Sequence, residues 1–178
     1  GFNVELKDSD PEYPAMVLAN YIMGGGFLNS RLATRIRQKD GLSYGVGSQF
    51  SSSAMDKAGN FTVYAISAPE NTEKVNAAVK EEIARVNKEG FTAEELEAAK
   101  SGLLQSRQVS RAQDASLSGT LNNNLFIGRT MEFDDKIDKA IQSLTPAQVN
   151  AAFNKFISPS KLVVIKAGDF EKNVEKKP

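Results

Sequence analysis

The chain contains no histidine and no cysteine in its 178 residues. Those two absences exclude most familiar hydrolytic centres. A serine triad and a cysteine nucleophile both need an imidazole to carry the proton. Zinc sites of the usual kind take nitrogen or sulfur ligands. Without cysteine there is also no disulfide, and because cysteine-free chains occur in cytosol and periplasm alike, the compartment stays open. Excess charge is missing as well: lysine plus arginine is 22, aspartate plus glutamate is 22, and the formal net charge is zero. Binding to nucleic acid through its phosphates calls for a basic excess on one face, so no nucleic-acid partner is expected. No run of 18 apolar residues occurs, so no membrane insertion is expected either. No signal peptide is visible, and the chain starts at Gly1 rather than at a methionine. It reads as a piece of a longer chain, with Gly1 readable as a cloning remnant.

What is present is ordinary for a globular chain: 40% hydrophobic and 25% charged residues. A length of this order buries roughly 70% of the unfolded surface, enough for one core without staples. One domain over 1–178 is expected, with a core of about 2–169 and a charged tail, 170–178.

Alternation of Phe2, Val4 and Leu6 predicts a strand over Phe2–Lys7. Asp10-Pro11 reads as a helix start, and Tyr13, Val17, Leu18, Tyr21 and Ile22 follow at helical spacing. Gly24–Gly26 should end that helix, and a short basic helix should run from Ser30 to about Lys39, capped by Gly41. Tyr44–Ser51 and Asn60–Ala68 predict an antiparallel hairpin. The first strand has one face bared by Gly45 and Gly47; the second is apolar on both faces and therefore central. Val75, Val79, Ile83 and Val86 mark a helix, and Thr92 and Glu95 form a capping box that opens the next, with Leu96, Ala99 and Leu103 turned inward. Ser101–Asn124 reads as a solvated helix pair kinked near Gly119. Two more helices are expected over Met131–Leu144 and Thr145–Phe156, then a buried strand over Lys161–Ala167. The order predicts an α+β fold, with a mostly antiparallel or mixed sheet of about four to six strands packed against helices.

Carboxylate-only metal sites have three candidates, Glu81-Glu82, Glu94-Glu95 and Asp134-Asp135. Neighbouring residues on a helix diverge by about 100°, so each pair reads as a solvated helix face or as partners of a helix N-terminal dipole. The glycine triplet of GGGFLNSR lacks the lysine of a phosphate loop and the spacing of a dinucleotide loop, and reads as a helix stop. Arg37 and Tyr44 stand seven residues apart, at the two ends of a helix–turn–strand corner. The bland reading makes Arg37 one of a basic helix face and Tyr44 a strand-start aromatic. The functional reading makes them a guanidinium fork and a phenol donor for the oxyanion of a peptide-bond intermediate, groups that work at neutral pH without a shifted pKa.

The stretch GGGFLNSRLATRIRQKDGLSYGVGS closely resembles the second-half domain of the insulinase/pitrilysin zinc peptidase family, in its bacterial and mitochondrial processing-peptidase branch. The FTxEELExAKxxL pattern from Phe91 to Leu103 and the helix Ser143–Ile157 followed by a valine-rich strand resemble it too. The resemblance implies a clamshell of two similar α+β units. One carries zinc on an HxxEH motif plus a distal glutamate; the other offers an arginine and a tyrosine to the peptide. Arg37 and Tyr44 match that pair. Gly26–Ser30 stands where the catalytic unit would read HxxEH, and it holds no ligand and no base. The resemblance thus implies a catalytically incomplete, substrate-binding domain, with no metal of its own. Zinc and the general base would come from a partner domain on the same parent chain or a second subunit, and the substrate would be a peptide. An extended peptide could also add to the edge of the strand Tyr44–Ser51, where Gly45 and Gly47 leave room. The alternative is an assembly domain like the respiratory core subunits of the same family, with no part in catalysis.

Overall fold

The computed structural model of the chain describes residues 1–169. A three-stranded antiparallel sheet, in the order β1-β3-β2, is formed by β1 (Phe2–Val4), β2 (Gly45–Ser52) and β3 (Gly59–Ile66). The helices are α1 (Tyr13–Asn20), α2 (Thr72–Glu89), α3 (Ala93–Arg111), α4 (Asp114–Phe126), α5 (Met131–Ser143) and α6 (Pro146–Phe156). The class is α+β, as expected, with fewer strands among the described residues than the four to six read from sequence.

β3 is central because its side chains serve both neighbours. Phe61 lies opposite Phe2 of β1 and Phe50 of β2. Period-two alternation turns these rings to one face, where Phe61 is fully buried and meets Phe153 of α6 edge-on at 6.2 Å. Phe91 joins Phe153 at 5.4 Å. The other face carries Gly45, Gly47, Gln49 and Ser51 of β2 opposite Ile66, Tyr64, Thr62 and Asn60 of β3.

The capping boxes at Thr92/Glu95 and Thr145/Gln148 both form in full. Val75, Val79, Ile83 and Val86 are all buried along α2, which closes at Gly90 with φ of 78°.

Four local expectations need correction. α1 begins at Tyr13, because Asp10 closes a turn instead of capping: its carboxylate accepts from the Lys7 N–H at 3.0 Å and its carbonyl from Tyr13 at 3.1 Å. The break between α3 and α4 falls at Ala112–Gln113, where Gln113 is extended, and not at Gly119, which lies inside α4. Arg107 and Arg111 are both held by Asp138 of α5, which fixes where α3 stops. Lys161–Ala167 is not a buried strand: Val163 exchanges one pair of backbone hydrogen bonds with Gly1, at 2.7 and 3.1 Å, and Ile165 is 89% exposed. The strand Phe2–Lys7 shortens to Phe2–Val4, although Leu6 stays in the core. The tail 170–178 lies outside the described residues.

Candidate functional site

The corner from Gly24 to Tyr44 is built around two π-helical segments, which are rare and recur at functional sites. The first, Tyr21–Gly25, prolongs α1; the second, Ala33–Lys39, replaces most of the helix expected there. Gly26 ends the first segment, donating to the Tyr21 carbonyl at 2.7 Å. The triplet therefore does stop a helix, but by close approach and not by a left-handed turn. A Cβ on Gly24 would stand 2.3 Å from the Ser48 nitrogen of β2, and one on Gly26 would stand 2.8 Å from the Tyr21 carbonyl oxygen. Ser48 completes the joint by donating to the Asn20 side-chain oxygen at 2.8 Å.

Arg31 anchors the start of the second segment. Its guanidinium forks onto Glu95 at 2.7 and 2.8 Å, reaches Glu82 at 3.5 Å, and donates to the Gly90 carbonyl at 3.0 Å. The Phe91 ring lies 5.3 Å from it. Burial, the largest single influence, pushes the Glu95 carboxyl up; the Arg31 hydrogen bonds and charge together with the Thr92 hydrogen bonds outweigh it and hold the group below its ordinary 4.5. Glu82 is only 3% exposed and is shared with Arg85, so the pair Glu81-Glu82 is not the solvated face read from sequence. Asp134 is likewise engaged, by Arg107 and Asn124.

The far end of the corner is braced through its backbone. Leu42 N–H donates to the Ile36 carbonyl and Tyr44 N–H to the Ile66 carbonyl, both at 2.9 Å, while Gly41 takes the φ of 62° that the turn needs. The Ser43 hydroxyl reaches the Gly45 and Ile66 carbonyls, each at 2.8 Å. On this frame Arg37 is exposed and lines a pocket of about 570 Å³ between the two π-helical segments and the bare sheet face. Tyr44 is 79% exposed and sits beside the wall residue Gly45, but does not itself line the pocket.

Tyr64 does line it, a residue that sequence reasoning passed over. It lies opposite Gly47 in the hairpin, and a Cβ on Gly47 would meet its hydroxyl at 2.7 Å. The signal was available in the register: an aromatic placed across from a strand glycine covers it. This also corrects the idea of a peptide added along the whole strand edge. Gly24 covers the Gly47–Ser48 peptide and Tyr64 fills the space at Gly47, whereas a Cβ on Gly45 would meet nothing within 4 Å.

The residues do not fit a zinc site. The chain has no imidazole or thiolate, and no cluster of three or more carboxylates able to hold a metal exists among the described residues. No helix among them is long and apolar enough to cross a membrane.

The class of protein that carries this α+β unit comes from comparison with known proteins. Residues 1–103 match the family model described as the peptidase M16 inactive domain, and the chain belongs to that family. It is 32% identical over 148 residues to an uncharacterized zinc protease of Rickettsia bellii, covering 83% of this chain and 35% of that protein. It is 27% identical over 151 residues to a non-peptidase homolog of Helicobacter pylori, covering 84% of this chain and 34% of the homolog. A peptidase M16 inactive domain from Pseudomonas fluorescens superposes with a TM-score of 0.77 at 33% identity, covering 89% of this chain and 37% of that one. The chain thus spans about a third of the length of these curated relatives. It is the inactive peptidase domain of a zinc-protease-like protein.

Proposed function

We propose that this domain holds a peptide for a zinc-bearing partner unit, on the same parent chain or a second subunit, and contributes Arg37 and Tyr44 to the reaction. Zinc and the general base belong to that partner. One observation supports the reading: the corner keeps both side chains exposed, with no ion pair among the described residues, while hydrogen bonds pin the backbone beside them. A phenol on a rigid strand start can donate to a developing oxyanion, and a fixed guanidinium can hold the adjacent peptide carbonyl. Neither needs to change protonation.

Reconstitution with the zinc-bearing unit tests this. Tyr44→Phe should lower turnover of a neutral reporter peptide by roughly 10²-fold, with bound zinc unchanged. Turnover equal to the parent protein's would remove the phenol from the mechanism.

The second reading, an assembly domain without a part in catalysis, is favoured by one specific finding: a relative of this chain is named a non-peptidase homolog. On that reading Tyr44→Phe and Arg37→Ala each leave every activity of the complex intact.

A further inference from the structure

Seven arginines occur in the sequence. Six are paired with carboxylates: Arg31 with Glu95 and Glu82, Arg35 with Asp40 and Glu81, Arg85 with Glu82, Arg107 and Arg111 with Asp138, and Arg129 with Asp8. Arg37 alone has no such partner among the described residues. The pocket it lines supplies none either. Arg37 is the one charged residue of the wall, and the other polar groups there are neutral amides and hydroxyls, Asn20, Gln49, Ser51, Thr62 and Tyr64 among them.

A guanidinium presents a planar fork of donors matched to two carboxylate oxygens. Everywhere else in this chain that geometry is met from within; at Arg37 it is open toward a cavity that contains no competing acid. Tyr64 lines the same cavity, with its hydroxyl 2.7 Å from where a Cβ on Gly47 would stand. Gly45 leaves the approach clear, since nothing stands within 4 Å of where its side chain would begin. We infer that this pocket is a carboxylate subsite, in which Arg37 receives the acid and Tyr64 donates a further hydrogen bond. The substrates it favours are peptides that present a carboxylate near the bound segment, from an acidic side chain or from a free C-terminus. The inference rests on the peptide-holding reading of the same corner and narrows it to a substrate class.

The test titrates the 178-residue chain at low salt with three probes, followed by NMR shifts: N-acetyl trialanine amide, the same peptide with a free C-terminal carboxylate, and the amide with a central glutamate. One or both acids should bind about tenfold tighter than the neutral amide, and the arm that wins names the source of the carboxylate. Arg37→Gln should abolish the preference with an otherwise unchanged spectrum, Arg37→Lys should keep part of it, and Tyr64→Phe should narrow it. Equal binding of all three probes, no binding of any, or a preference that survives Arg37→Gln would overturn the inference. Its failure is separable from that of the catalytic reading. A loss of turnover of the neutral reporter in Tyr44→Phe without any acid preference sinks only the subsite, and the reverse result sinks only the catalytic role.

Discussion

Arg31 and Arg37 lie on the same short segment, yet their surroundings are opposite. Arg31 is buried against α2, α3 and the Gly90 turn, with two carboxylates, a carbonyl and an aromatic ring around it. Arg37 lines an open pocket with no acid in its wall. The first is part of the scaffold: it ties the pocket's helical wall to the core. The second is held by that scaffold without contributing to it. On the proposed reading, that contrast separates a ligand-binding arginine from a packing one.

Substitutions can break or sharpen that contrast. The largest effect is expected from Arg31→Ala, which strands the buried carboxylate of Glu82 with Arg85 alone and should cost about 3–5 kcal/mol in denaturant unfolding. Arg37→Ala should stay within about 0.5 kcal/mol of the parent. Comparable losses in the two variants would erase the distinction.

Next come the glycines. Gly24→Ala forces a methyl onto the Ser48 backbone and should cost about 1–3 kcal/mol, read from the thermal midpoint. Gly47→Ala meets mainly the outer end of the half-exposed Tyr64 side chain, which can swing aside, and should cost less, about 1 kcal/mol. Gly45→Ala meets open space and should be neutral or stabilising by about 0.5–1 kcal/mol, because its glycine serves no contact within the chain.

The smallest effect concerns pH. The folded Glu95 carboxyl lies below its ordinary 4.5, so its share of stability is present above that value and is lost as the pH falls through the lower folded value. Glu95→Gln should flatten this acid limb of the stability profile. An unaltered limb would assign it to other carboxylates.

Much of this was legible in the sequence. The capping boxes at Thr92 and Thr145, the buried stripe Val75–Val86, the hairpin and the central position of β3 follow from local spacing, which tertiary contacts here reinforce. The failures share a cause: they depend on partners distant in sequence. Lys161–Ala167 looks like a buried strand, but among the described residues its backbone pairs with Gly1 alone, and its valines stay outside. Glu82 looks solvated until Arg31, 51 residues away, is placed against it. The site divides in the same way. Arg37 and Tyr44 stand out through spacing and family resemblance, whereas the separation of Arg37 from every carboxylate among the described residues, and the ring of Tyr64 over Gly47, appear only when the chain is folded.

The central claim is that Arg37 is a functional charge and not a structural one. The most direct measurement pairs kcat/KM of Arg37→Ala, in a reconstitution with the proposed zinc-bearing unit, with the variant's thermal midpoint and zinc content. A fall of about 10²-fold in kcat/KM with the midpoint and the zinc unchanged is the expected result. Unchanged kcat/KM, or a fall that merely tracks lost stability, would contradict it.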